Sequence, residues 1–142
     1  MYKNILLAID LNDEPPCHKP LLAAVELARA FGARLHVLTV VREVEAILEV
    51  KAAPLGYDLI AADLENQIVG LIRRADASDL KPNIPVRHGA SIYAEILGVA
   101  EEAEADLVVV GSHRPAMRDY LLGTNAARVV RHACCSVLVA RE

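Results

Sequence analysis

The sequence lacks a long hydrophobic run. Of its 142 residues 54% are hydrophobic, yet no stretch approaches the roughly 18 unbroken apolar residues that a membrane-spanning helix requires. The opening MYKNILLAID has one lysine and a short apolar run that ends at Asp10, with no small-residue cleavage site after it. We therefore interpret the opening as a first β-strand rather than a signal peptide, and we expect no membrane partner.

Clustered positive charge is scarce. The chain has 15 Lys and Arg against 19 Asp and Glu, a formal net charge of −4, and no basic block beyond Arg73-Arg74. Proteins that bind nucleic acid usually concentrate basic residues on one face. We therefore expect no nucleic-acid partner.

Cysteine is scarce as well. An odd count of three, with Cys134 and Cys135 adjacent and Cys17 far away, does not form a disulfide framework and fits a reducing, cytoplasmic environment. The adjacent pair is interpreted as reduced thiols packed before a strand, with a redox switch as the alternative. The five histidines stand at no ligand spacing from the cysteines, so no metal site is predicted.

Several familiar motifs are also missing. The chain contains no G-x-x-x-x-G-K-[ST], no G-x-G-x-x-G and no G-x-S-x-G, which excludes a Walker loop, a dinucleotide fingerprint and a hydrolase nucleophile elbow. The histidines form no evident set with serine and aspartate. The sequence supplies no evident general base, and we assign no catalytic residue.

What is present is a regular alternation of strand-like and helix-like segments, which predicts the fold. Strands are predicted at 3–10, 34–41, 83–89, 106–111 and 136–140, and helices at 19–31, 58–75, 91–105 and 124–133. Residues 42–57, broken at Pro54 and Gly56, are predicted to be a mobile excursion over the surface. Such alternation is typical of an α/β protein. We predict one domain, residues 1–142, with a five-stranded parallel sheet and helices on both faces.

Sheets of this kind hold ligands outside the carboxyl ends of their strands, where the strand order reverses. Asp10 ends the first strand, and Gly111 ends the fourth, where the missing Cβ allows a close approach. Gly123, Thr124 and Asn125 begin a helix whose N–H groups and dipole favour phosphate. Spacing alone leaves open that Asp10 is a polar strand end, Gly123 a turn glycine and Thr124 an N-cap.

The loop after Gly111 carries two further candidates. Arg114 could pair with phosphate as a bidentate donor, or it could be a solvated loop residue. His113 could act as an acid or base near neutral pH, or it could hydrogen-bond the backbone.

Four segments, KNILLAIDL, LHVLTVV, DLVVVGSH and LLGTNAARVVRHACCSVLVAR, together resemble the universal stress protein family across essentially the whole chain. Many members bind ATP through G-x-x-G-x(9)-G-[ST]. This sequence matches the first glycine at Gly111 and the last pair at Gly123-Thr124, whereas Arg114 takes the middle glycine's place and the loop is one residue shorter. GSHRP followed by YLLG is similar to a short-loop branch of the family that includes nucleotide binders.

The resemblance implies a Rossmann-like fold of the adenine nucleotide alpha hydrolase type and a site for ATP, with or without Mg²⁺. It places the ribose near Asp10 and the adenine beside Val40. It assigns the sugar–phosphate junction and the phosphates to the remaining candidate site residues, which are Gly111, Ser112, His113, Arg114, Gly123, Thr124 and Asn125. At the middle position Arg114 could compensate for the missing glycine by charge, or it could fill the space.

The resemblance further implies a dimeric, cytoplasmic, ATP-binding protein with a regulatory role in stress and at most slow ATP hydrolysis or self-modification. One alternative is a dimeric interaction module that binds no nucleotide, which Arg114 and the shortened loop favour. The other is a nucleotide-dependent transferase, for which only His113 and Asp10 are candidate catalytic residues.

The last predicted strand, SVLVA, is expected at an edge of the sheet. It places Val137, Leu138 and Val139 in a row with no lysine or proline to interrupt them, and an open apolar edge invites pairing with another chain. We therefore expect a homodimer through this strand, closed across a two-fold axis. The alternative is that residues 42–57 cover the edge.

Overall fold

A computed structural model of the chain describes residues 1–11, 18–42, 56–112 and 123–141. Its strands are β1 (Asn4–Ile9), β2 (Arg34–Arg42), β3 (Val86–Gly89), β4 (Leu107–Gly111) and β5 (Ser136–Ala140). Its helices are α1 (His18–Phe31), α2 (Gly56–Arg74), α3 (Ile92–Glu102) and α4 (Thr124–His132), with a 3₁₀ turn at Ser78–Leu80. Of the predicted excursion at 42–57, residues 43–55 lie outside the described residues. None of the described helices is both long and apolar enough to cross a bilayer.

All five strands are parallel and form one sheet in the order β3-β2-β1-β4-β5. This order confirms the predicted α/β class and places β5 at an edge. The chain moves outward from β1 to β2 and β3, and then returns to place β4 on the other side of β1. The strand order therefore reverses between β1 and β4, where parallel sheets open a crevice at their carboxyl ends.

The core consists of one apolar layer on each face of the sheet. In β1, Ile5, Leu7 and Ile9 pack against α1 and α2, whereas Leu6 faces α3 and α4. This alternation follows from the period of two along a strand. Both faces are covered, which explains why β1 and β4 are almost continuously apolar in sequence. Helices on both faces were predicted, and the structure confirms them.

The third strand is shorter than the predicted 83–89. The backbone already follows β2 at Asn83, whose N–H donates to Leu35 O at 3.0 Å and whose carbonyl accepts from Val37 N at 2.8 Å. Pro85 has no N–H to donate, so it only accepts a hydrogen bond from Thr39 N, at 3.3 Å. The regular ladder consequently begins at Val86.

Asp106 joins the amino ends of β1 and β4. Its carboxylate accepts hydrogen bonds from the backbone N–H groups of Lys3, at 2.8 Å, and Asn4, at 3.0 Å. Burial alone would raise the pKa of this carboxyl, but the two backbone hydrogen bonds hold the pKa below its ordinary value of 3.8. The side chain thus connects the two strands between which the strand order reverses.

Candidate functional site

A cavity of about 430 Å³ opens at the carboxyl ends of β1 and β2. The sheet side of the cavity is lined by residues at those strand ends, which are Asp10, Leu11, Thr39, Val40 and Val41. The opposite wall is α2, which contributes Leu59, Ile60, Asp63, Leu64 and Gln67. Sites for small molecules typically enclose about 300–1,000 Å³. The cavity is therefore large enough for a small organic ligand.

Two of the predicted site residues meet in this cavity. Asp10 directly follows β1 and is exposed, whereas Val40 is half-buried in β2, where it also packs against the core layer of α3 and α4. The register of β1 with β2 pairs Ile9 with Thr39. The buried Thr39 hydroxyl donates to Ile9 O at 3.2 Å. This hydrogen bond ties the two strands together immediately before Asp10 and Val40.

The wall formed by α2 was predicted only as a helix, at residues 58–75. Ile60, Leu64, Ile68 and Ile72 form an apolar stripe along it, but only the carboxyl half of that stripe is buried: Ile68 is 0% exposed and Ile72 is 3% exposed. Ile60 and Leu64 are half-buried along the cavity, and Leu59 is 53% exposed. The stripe therefore has two uses. Its carboxyl half anchors the helix on the sheet, and its amino half lines the cavity.

Two polar residues on α2 were not predicted as site residues from the sequence. Gln67 Nε2 donates a hydrogen bond to Asp63 Oδ2 at 2.8 Å, one helical turn away, and both side chains line the cavity. Asp63 follows Ile60 by three positions and Gln67 follows Leu64 by three, which places all four on one side of the helix. A carboxylate and an amide interleaved with an apolar stripe is the signal that could have identified them.

The end of β4 lies beside β1 at the reversal of strand order. A Cβ added to Gly111 would stand 3.2 Å from Pro20 Cγ in the first turn of α1, so the glycine permits close packing of strand end and helix. Ser112 is buried, and its backbone N–H donates to Ala140 O at 3.2 Å. That N–H therefore extends the sheet toward β5. His113 and Arg114 lie outside the described residues.

The start of α4 carries the remaining three predicted residues. Gly123 is buried and is the N-cap, in extended backbone with φ −62° and ψ 153° that any residue can adopt. Thr124 is the first helical residue rather than the cap, and Asn125 is half-buried behind it. The first turn contains no acidic residue, so no side-chain carboxylate within it neutralises the positive end of the helix dipole.

Two further observations limit the chemistry of these groups. Within the part of the chain that the structure describes, no three His, Cys, Asp or Glu side chains are grouped to hold a metal ion. Cys134 is exposed and Cys135 half-buried beyond α4. Burial raises the pKa of the Cys135 thiol, and the nearby charge of Asp106 adds to the effect. A raised pKa disfavours the reactive thiolate at Cys135.

A doubly wound α/β sheet with a cavity at the carboxyl ends of its central strands defines the class of protein. Comparison with known families then identifies the particular family, because the family model described as "Universal stress protein family" matches residues 1–141. The chain belongs to the universal stress protein family. The resemblance noted from its sequence segments is confirmed.

Relatives and solved structures agree with this assignment. The chain is 32% identical to universal stress protein G of Escherichia coli O157:H7, over 99% of this chain and 100% of the relative. Universal stress protein UspA from Lactobacillus plantarum has a TM-score of 0.73 at 26% identity, covering 99% of this chain and 98% of the other.

Two further solved structures contain nucleotides. A universal stress protein in complex with cAMP has a TM-score of 0.61 at 22% identity, covering 99% of this chain and 97% of the other. The universal stress protein from Archaeoglobus fulgidus in complex with dAMP has a TM-score of 0.60 at 19% identity, covering 98% of each chain. At these identities the likeness concerns the fold.

Proposed function

We propose that this protein binds ATP or a closely related adenine nucleotide at the carboxyl ends of β1, β2 and β4, as part of a cytoplasmic, stress-linked regulatory role. The observation that carries the proposal is the cavity that brings Asp10 and Val40 together. These are the positions that the family resemblance assigns to ribose and adenine. The family members in complex with cAMP and dAMP support the class of ligand.

The cavity suits the nucleoside part of such a ligand. Val41, on the same face of β2 as Thr39, and Ile60 and Leu64 on α2 provide apolar surface to the cavity, as a purine requires. Val40 lies beside them at the end of β2, with its side chain toward α3 and α4. The exposed carboxylate of Asp10 stands at the rim, where it can accept a hydrogen bond from a ribose hydroxyl. The base would thus lie between the sheet and α2, with the sugar toward the end of β1.

The phosphates are assigned to the carboxyl end of β4 and the start of α4. Gly111 follows the strand next to β1, and Gly123 begins a helix with no acid in its first turn. The N–H groups of a helix start and its dipole favour an anion. Charge-assisted hydrogen bonds of this kind contribute about 1.5–3 kcal/mol each.

We also propose that two copies pair through β5. This strand is at the edge of the sheet, and Leu138 within it is 36% exposed. Antiparallel pairing of two such edges across a two-fold axis would satisfy the outward backbone groups of both copies.

Replacing Gly123 with aspartate tests the phosphate placement. The backbone at Gly123 accepts any residue, and aspartate is a favourable N-cap, so we expect Gly123→Asp to fold. Its negative charge should weaken the binding of ATP by tenfold or more, the equivalent of about 1.4 kcal/mol. The binding of adenosine should weaken far less. Calorimetric titration of both ligands measures the difference.

Ala127→Asp is the matched control, because it adds the same charge at an exposed position one turn further along α4. It should reduce ATP binding much less than Gly123→Asp does. An equal loss of ATP and adenosine in folded Gly123→Asp would show that the phosphates lie elsewhere. If the parent protein bound neither ligand, an interaction module without nucleotide would be the better description.

A further inference from the structure

The polar groups of the cavity are mostly hydrogen-bond acceptors. Asp10 and Asp63 contribute carboxylates and Gln67 contributes an amide, whereas no Lys, Arg or His is among the described residues that line it. Ionised carboxylates only accept hydrogen bonds. The cavity therefore favours a ligand portion that offers hydroxyl or amino donors, and it disfavours phosphate.

Asp63 and Gln67 present a defined pattern on the α2 wall. Gln67 Nε2 has two hydrogens, and one of them is given to Asp63 Oδ2 at 2.8 Å. Among the described residues, the second N–H of Gln67 and the remaining lone pairs of Asp63 have no partner, so the pair offers an acceptor next to a donor. Adenine carries the complementary pattern, because its exocyclic amino group donates beside a ring nitrogen that accepts.

The position of the pair agrees with this role. Asp63 and Gln67 lie on the same side of α2 as Ile60 and Leu64, across the cavity from the carboxyl end of β2. A base held between the carboxyl end of β2 and the apolar part of α2 would direct one edge toward these polar side chains. Asp10 lies on the other side of the cavity, at the end of β1, whereas Asp63 and Gln67 lie on α2.

We propose that Asp63, held by Gln67, recognises the exocyclic amino group of the base and selects adenine over a purine that carries a carbonyl at that position. The proposal rests on the nucleotide binding proposed above. A carbonyl in place of the amine would set two acceptors against each other and leave both without a donor. Asp63 is thus assigned as a specificity-determining residue.

Asp63→Asn is the variant that tests this assignment. It keeps the shape of the side chain but supplies an N–H group that can donate to a carbonyl. Glu65→Gln is the matched control, because it removes the same charge from the same helix at an exposed position that is not part of the cavity. Asp63 is itself exposed, so neither change disturbs the core.

The experiment is calorimetric titration of the parent and both variants with ATP and with ITP, in which a carbonyl replaces the amino group. We expect the parent and Glu65→Gln to prefer ATP by about tenfold or more. In Asp63→Asn the preference should fall to about threefold or less, mainly through tighter ITP binding.

A parent that binds ATP and ITP equally would overturn the assignment, as would an unchanged preference in Asp63→Asn. In both cases ATP binding itself would stand. A parent that binds neither nucleotide would overturn the proposed function and this inference together.

Discussion

His36 in β2 is a titratable side chain placed inside the fold. It is 8% exposed, and its Nδ1 lies 3.2 Å from Asn83 Nδ2. With the Asn83 amide donating, the ring proton is on Nε2, which has no hydrogen-bond partner in the described part of the chain. Burial, and secondarily the positive charge of Arg34, lower the pKa of His36 below its ordinary 6.5. The fold therefore favours the neutral imidazole.

This environment predicts a loss of stability in mild acid. The pKa of His36 is lower in the folded state, so the unfolded chain binds more protons once the pH falls below 6.5. The stability contribution is fully present above pH 6.5 and is lost as the pH falls through the folded-state pKa, with a limiting slope of about 1.4 kcal/mol per pH unit. His36→Leu removes this titration, and urea unfolding at several pH values measures the effect.

Residue 36 is the single difference between the two proteins, so the relevant quantity is the difference in slope between parent and variant. We expect His36→Leu to show the shallower dependence below pH 6.5. The same pH dependence in both proteins would mean that His36 is as easily protonated in the fold as in the unfolded chain.

At the scale of single elements, the two halves of α2 differ in burial. Every residue from Asp58 to Gln67 retains some exposure, whereas Ile68 and Ile72 are buried against the sheet. Local stability is lower where few apolar contacts hold a segment. The amino half of α2 is therefore the part that a bound base would stabilise.

We predict that ATP slows amide hydrogen exchange in residues 58–67 more than in residues 68–74. A ligand in the cavity replaces water against Ile60 and Leu64, and binding to the folded form alone reduces local opening. Exchange followed by mass spectrometry, with and without ATP, measures this. Slowing confined to residues 68–74, or none in α2, would place the base outside this cavity.

The elements themselves could be predicted from sequence because each depends on a local period. The strands at 34–41 and 136–140 and the helix at 19–31 lie within one residue of β2, β5 and α1. The use of the α2 stripe could not be predicted, because a period of 3.6 shows which side chains point inward but not whether protein or ligand meets them. Ile60 and Ile72 occupy equivalent positions in the sequence pattern. They differ in the structure because Ile72 packs on the sheet, whereas Ile60 lines the cavity at the strand ends.

The candidate site was predictable only where the sequence resembles a family motif. Asp10 and Val40 were assigned by resemblance to a family motif, and the structure places both in one cavity. Asp63 and Gln67 belong to no such motif, and their role depends on how α2 crosses the strand ends. That placement is a tertiary property that single-sequence periodicity does not contain.

At the scale of the whole molecule, β5 is an edge strand of the sheet that the structure describes, and the proposed pairing of two copies depends on it. Ala140 O accepts a hydrogen bond from Ser112 N on the β4 side. Because successive peptide groups of a strand point to alternate sides, the N–H of Leu138 also faces β4, and the N–H groups of Val137 and Val139 face away from β4. Only the odd-numbered positions can therefore pair with a second copy.

We predict that Val137→Pro converts a dimer into a folded monomer. Proline removes an N–H from the outward side, and it is tolerated near the start of an edge strand. Light scattering at about 100 μM, far above a micromolar dissociation constant, should report a dimer for the parent and a monomer for the variant. Leu138→Pro is the control, because it removes an N–H from the β4 side and should instead destabilise the fold. A parent that is monomeric at this concentration would refute pairing through β5.

Native mass spectrometry of the protein equilibrated with ATP tests the central claim most directly, because it counts bound nucleotides. We predict one ATP per chain for the parent and little or none for Val40→Glu, in which a charged side chain replaces an apolar residue of the cavity lining. The distribution of charge states shows in the same spectrum whether the variant is folded. A spectrum of the parent that shows only unliganded protein would contradict ATP binding at this site. Equal ATP occupancy in the parent and in folded Val40→Glu would contradict it as well.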